Sequence, residues 1–194
     1  MAITSIKTGS SFTNLVKYND FLGPNSAYIP SSYESIASAT GTGSSNVITF
    51  SSIPSTYASL QIRGLWVTQG WGVFIRFNSD SGSNYAFHRL TGNGSSASAD
   101  GFASQTYIDL DPGGLTGTEQ SVGIIDIHNY ASTTQNKTVR QFTGLDRNTT
   151  NGRVKLVSGL WMNTSAITSI SFTADNSQAF STTTQFALYG IKGA

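Results

Sequence analysis

Few residues in this chain could carry chemistry: it has two histidines and no cysteine. Asp126 and His128 lie two apart in an apolar run, so a strand would place both on one face, as the orienting acid and base of a nucleophile triad require. No Gly-x-Ser-x-Gly elbow accompanies them. His88, between Phe87 and Arg89, is expected to point away from the Phe side of its strand. Asp109 and Asp111 share a face at the entry to a Pro–Gly–Gly turn. Two carboxyls can cleave a glycoside only at a set separation across the sugar, which spacing does not establish. Asn78–Asn84 is an oxygen-rich turn with a calcium reading, but it lacks the repeated carboxylates and distal Glu of an EF-hand loop. A polar turn capped by its own Asp and Asn side chains is the preferred reading. Trp71, Tyr85 and Tyr107, with the loop Gly92–Asp100, are the candidates for stacking on a sugar ring, while Trp66 and Trp161 read as core. The Asn-x-Ser/Thr triplets at Asn93, Asn136, Asn148 and Asn163 arise by chance in a chain this rich in Ser and Thr. No catalytic residue, cofactor or metal is expected.

Composition narrows the partners. Charged residues are 11% of the 194 positions and the net charge is +1, against about a quarter charged in a typical domain. Lys and Arg are scattered rather than clustered, so nucleic acid is not an expected partner. No apolar run approaches membrane-spanning length, and Met1–Lys7 lacks the basic-then-apolar order of a signal peptide. Without cysteine there is no disulfide, no thiolate catalysis and no Cys-ligated zinc. The length fits one domain with a real core.

The elements that would position these residues are strands. Ile170 and Phe172 share one face, with Ser169, Ser171 and Thr173 on the other, near the end of an extended stretch read over Gly159–Phe172. Phe186–Ile191 is apolar on both faces, which predicts an interior strand. Tyr33–Ala37, Val47–Phe50, Asn84–Leu90, Gln105–Leu110, Val122–His128, Thr138–Leu145 and Arg153–Ser158 read as further strands. Ser59–Val67 and Trp71–Asn78 are expected to form a hairpin through Gln69–Gly70. Thr91–Ala103, rich in Gly, Ser and Ala, reads as a surface loop. About ten short strands with turns between them predict an all-β, antiparallel β-sandwich or barrel, with a jelly-roll-like sandwich preferred.

Residues 1–32 differ from the globular part, residues 33–194. Their apolar residues hold no sustained period and are interrupted at Gly23–Pro24 and Ile29–Pro30, which favours extended backbone. Leu15, Tyr18 and Leu22 would align in a helical turn or two. An arm with this many aromatics packs on something, either its own domain or a neighbouring subunit. Phe12, Leu15, Tyr18, Phe21 and Tyr28 are the candidate contacts with a subunit or a capsid.

One resemblance extends over Tyr33–Gly193. Tyr33–Ala37, Ile48–Tyr57, Leu60–Gly64, Arg76–Asn78 with Asn84–Tyr85, and Gly159–Trp161 through Ile170 to Phe186–Ile191 together resemble small β-rich virion structural proteins of tailed bacteriophages. The resemblance implies a place on the outer surface of a phage particle, as a non-enzymatic head decoration (cement) protein. Its implied partners are the major capsid protein or other virion proteins, and its implied state a homo-oligomer, a trimer by preference. The other implied role is a tail or fibre module binding host-surface carbohydrate. No catalytic residue comes with the resemblance. A carbohydrate-active enzyme using Asp109, Asp111 or Asp126–His128 is the third class.

Overall fold

The computed structural model describes residues 32–68, 72–110, 119–146 and 152–193. In chain order its strands are β1 (Tyr33–Thr40), β2 (Val47–Phe50), β3 (Ser59–Trp66), β4 (Val73–Phe77), β5 (Tyr85–Gly92), β6 (Ala97–Gln105), β7 (Ile108–Asp109), β8 (Ser121–His128), β9 (Lys137–Leu145), β10 (Arg153–Trp161), β11 (Ile170–Ala174) and β12 (Gln185–Ile191). A single turn of 3-10 helix covers Asp175–Ser177. One sheet has eight strands in the order β1-β12-β3-β8-β9-β10-β5-β6, and the other four in the order β2-β11-β4-β7. All pairings are antiparallel. The fold is an all-β sandwich, as the strand pattern predicts, although this order does not establish jelly-roll connectivity.

The core lies between the sheets. Leu60, Ile62, Ile125, Ile127, Phe186 and Leu188 of the large sheet meet Phe50, Phe77, Ile75, Ile170 and Phe172 of the small one. Phe172 and Phe186 stack across the gap at 4.1 Å, and Phe77 meets Trp161 at 5.6 Å. Each fully buried side chain of this size stabilises the fold by about 1.5–3 kcal/mol over leaving it in water. Where β7 crosses β10 the sheets approach so closely that a Cβ on Gly159 would stand 2.8 Å from Ile108 Cδ1. A side chain at Gly159 would have to displace Ile108.

Three local expectations are corrected. β3 and β4 do not form a hairpin: β3 pairs with β12 and β8, and β4 with β11 and β7. The chain changes sheets between them, because Ile62 and Ile75 both need the one core and can share it from opposite sides. The Thr91–Ala103 loop is instead mostly strand, with β6 pairing along β5. Asn93 Oδ1 accepts the N–H groups of Ser95 and Ser96, and Gly94 adopts φ +87, closing a turn between them. Gly159–Phe172 is two strands rather than one, since β10 ends at Trp161 and β11 begins at Ile170 in the other sheet. β12 is interior, between β1 and β3, as its two apolar faces predict.

Candidate interaction surface

Side chains alternate along each strand, so register and burial together give the two faces of the large sheet. On its outer face Ile124 (β8), Phe142 (β9), Leu156 (β10) and Leu90 (β5) stand directly opposite one another on four adjacent strands. The next row holds Val122, Gly144, Val154 and Gly92 on the same strands. The six apolar side chains of these rows are each 44–53% exposed. A groove of about 780 Å³ borders them, formed with Arg63 and Leu65 of β3, Ala187 of β12 and Ala39 of β1.

Behind this band the usual alternation is inverted. The inward neighbours of Phe142 are Gln141 and Thr143, and the residue between Val154 and Leu156 is Lys155; all three are buried. Lys155 Nζ reaches Asp109 Oδ2 at 3.0 Å, and Arg89 Nη1 reaches the same oxygen at 2.7 Å while its Nε holds Asp100 at 3.1 Å. Gln141 Nε2 donates to Leu110 O at 2.7 Å, whereas Gln141 Oε1, Ser121 Oγ and Trp66 Nε1 lack hydrogen-bond partners among the described residues. The cost that covering the outer face could relieve is the exposure of Phe, Leu, Ile and Val.

A polar rim adjoins the band. Arg63 lies between the rings of Tyr33 and Tyr189, 5.5 and 5.4 Å from their centroids. Its Nε donates to Gln61 Oε1, Gln61 Nε2 donates to Asp126 Oδ1, and Arg140 Nη2 donates to Asp126 Oδ2. Five adjacent strands, β1, β12, β3, β8 and β9, are linked in this way.

The sequence candidates fall out as follows. Phe12, Leu15, Tyr18, Phe21, Tyr28, Trp71 and Asp111 lie outside the described residues. Tyr85 is corrected as a sugar platform: its ring is wholly buried beside Phe77 and Trp161. Its hydroxyl accepts the Phe77 N–H and donates to Asp80 O. Burial pushes that phenol up to about 12. Tyr107 is half-buried, stacked on Phe74 at 4.0 Å with the Arg76 guanidinium 5.7 Å from its centroid. Burial also raises its pKa, helped by Asp109. The Asp126–His128 dyad does not form, because the Asp126 carboxylate is taken by Gln61 and Arg140. Asp109 joins the sheets through Lys155 and Arg89. The Asn78–Asn84 turn follows the preferred reading, with Asp80 accepting from Gly82 N and Asn84 Nδ2. His88 does leave the Phe side, lying on the outer face over Gly101. Among the described residues no three His, Cys, Asp or Glu side chains gather as a metal site, and no helix is long and apolar enough to cross a membrane. No protein family, curated protein or solved structure matches this chain.

Proposed function

We propose that this protein is a non-enzymatic structural component of a bacteriophage particle, a decoration or cement protein that works through protein contacts on the outer surface of the head. The apolar band of Ile124, Phe142, Leu156 and Leu90 is the observation that carries the reading. A patch of this kind marks an association surface. The low-charge surface and the resemblance of Tyr33–Gly193 to virion proteins support the setting. Asp109 and Asp126, the acids best placed for catalysis, are held in ion pairs that join strands and sheets. The partners in this reading are capsid or other virion proteins and further copies of the chain.

The test is a cryo-EM map of particles built with this chain, with its copy number measured by mass spectrometry. Many copies on the capsid lattice, with the band covered by a protein contact, are expected. A few copies at a tail tip would move the protein to receptor binding, and absence from purified particles would overturn a virion role. Removing residues 1–32 is expected to weaken attachment while leaving the sandwich folded, measured by particle co-sedimentation and circular dichroism.

A further inference from the structure

We infer that the apolar band is the contact surface of a two-fold pair, in which a second copy of this chain packs its own β8-β9-β10-β5 face on the first. This deepens the reading of the band as an assembly surface and names its occupant. The argument is self-complementarity. Consider a two-fold axis lying in the interface, parallel to the strands and midway between β9 and β10. It brings β8 over β5 of the second copy and β9 over β10, keeping each row opposite itself. In the central row Ile124 then meets Leu90 of the second copy, and Phe142 meets its Leu156. In the next row, Val122–Gly144–Val154–Gly92, every valine comes opposite a glycine. Val154 of each copy enters the notch left by Gly144 of the other. On the opposite side of the central row lie Asp126, Arg140, Ser158 and His88, and the same axis sets Asp126 over the second copy's His88 and Arg140 over its Ser158. Apolar row, knob-and-notch row and charge-bearing row are matched by one operation.

Two further points fit. Packed sheets cross at about 30°, which displaces strands this near the axis by less than the roughly 7 Å between rows. Six half-exposed apolar side chains present on the order of 500 Å² per copy, at the upper end of what monomers leave uncovered. Adding the polar row and the groove beside β3 approaches the roughly 800 Å² per partner of a standard interface. Gly144 has room for a larger residue: among the described residues a Cβ there would meet only Arg153 O, at 3.9 Å.

The experiment is native mass spectrometry and sedimentation velocity on the full chain at micromolar concentration. A mass of two chains is expected. Gly144→Val should fold normally and associate about 30-fold more weakly, the size of a hot-spot loss. Exchanging knob and notch with Gly144→Val plus Val154→Gly should restore the pair. Should Gly144→Val fail to fold, Phe142→Lys serves in its place and should run as a single chain. A wild-type mass of one or three chains overturns the proposal, as does a pair indifferent to both variants. So does an oligomer abolished by removing residues 1–31 yet untouched by Phe142→Lys, which would give the band's role to the N-terminal segment. A pair that is absent from particles would sink the virion reading alone, and a single chain that still loads onto particles would sink the pair alone.

Discussion

Asp80 closes the turn between β4 and β5 and ties it to β10, with its Oδ2 accepting Trp161 Nε1 at 2.8 Å. Burial by itself raises its pKa, but the bonds from Trp161, Asn84, Gly82 and Asn163 outweigh it and leave the carboxyl below its ordinary 3.8. A depressed acid stabilises the fold above its unfolded value, and that contribution is lost as pH falls through the lower folded value. Asp80→Asn should cost about 1–2 kcal/mol near neutrality. It should also flatten the acid limb of stability below about pH 4, read by urea denaturation across that range. Lys137 makes the complementary tie. Its buried ammonium donates to the carbonyls of Ser132, Gln135, Thr164 and Asn163 at 2.7, 2.7, 2.9 and 3.3 Å. Lys137→Met keeps most of the side chain's length but removes the donor to four carbonyls, and should lower stability by about 3 kcal/mol in thermal or denaturant unfolding. Sequence gave partial notice of these two residues. The Asn78–Asn84 turn announces its own capping, but its bond to Trp161 spans 81 positions. Nothing local marks Lys137 as an inward lysine.

At the scale of elements, β6 pairs along β5 and brings one large apolar side chain, Phe102, to the sandwich. Phe102 stacks on Phe87 at 4.8 Å, under the Arg89 guanidinium at 4.8 Å from its ring. Phe102→Ala should therefore speed hydrogen exchange across residues 97–105 by about tenfold or more while the core strands keep their protection. An edge strand buries so little that its sequence carries no two-residue period, which is why small residues there read as loop. Strands bordered on both sides announce themselves: β11 and β12 follow from the alternation of Ile170, Phe172, Phe186 and Leu188. The β3–β4 connection was illegible for another reason. Adjacent strands with a short link pair in most proteins, and only the position of the shared core decides that these two separate.

For the whole molecule, the site was harder to read than the fold. A sequence pattern says that a strand has an apolar face, not which sheet face that is. In β10 the run Val154–Lys155–Leu156–Val157 puts lysine in and leucine out, and Asp109, arriving from the small sheet, supplies a counter-charge for it. The same placement of charge has a consequence for the medium. The Asp109–Lys155 bridge is enclosed between the sheets, where mobile ions screen little. The well-exposed bridges, Arg140–Asp126 and Lys192–Glu34, are of a kind worth at most about 1 kcal/mol each. Melting temperatures in dilute buffer and in molar sodium chloride should agree within about 5 °C. A large fall in salt would mean that exposed charge holds the sandwich together after all. Because the charges that join its sheets are enclosed, the molecule would keep its shape when moved between fresh water and brine.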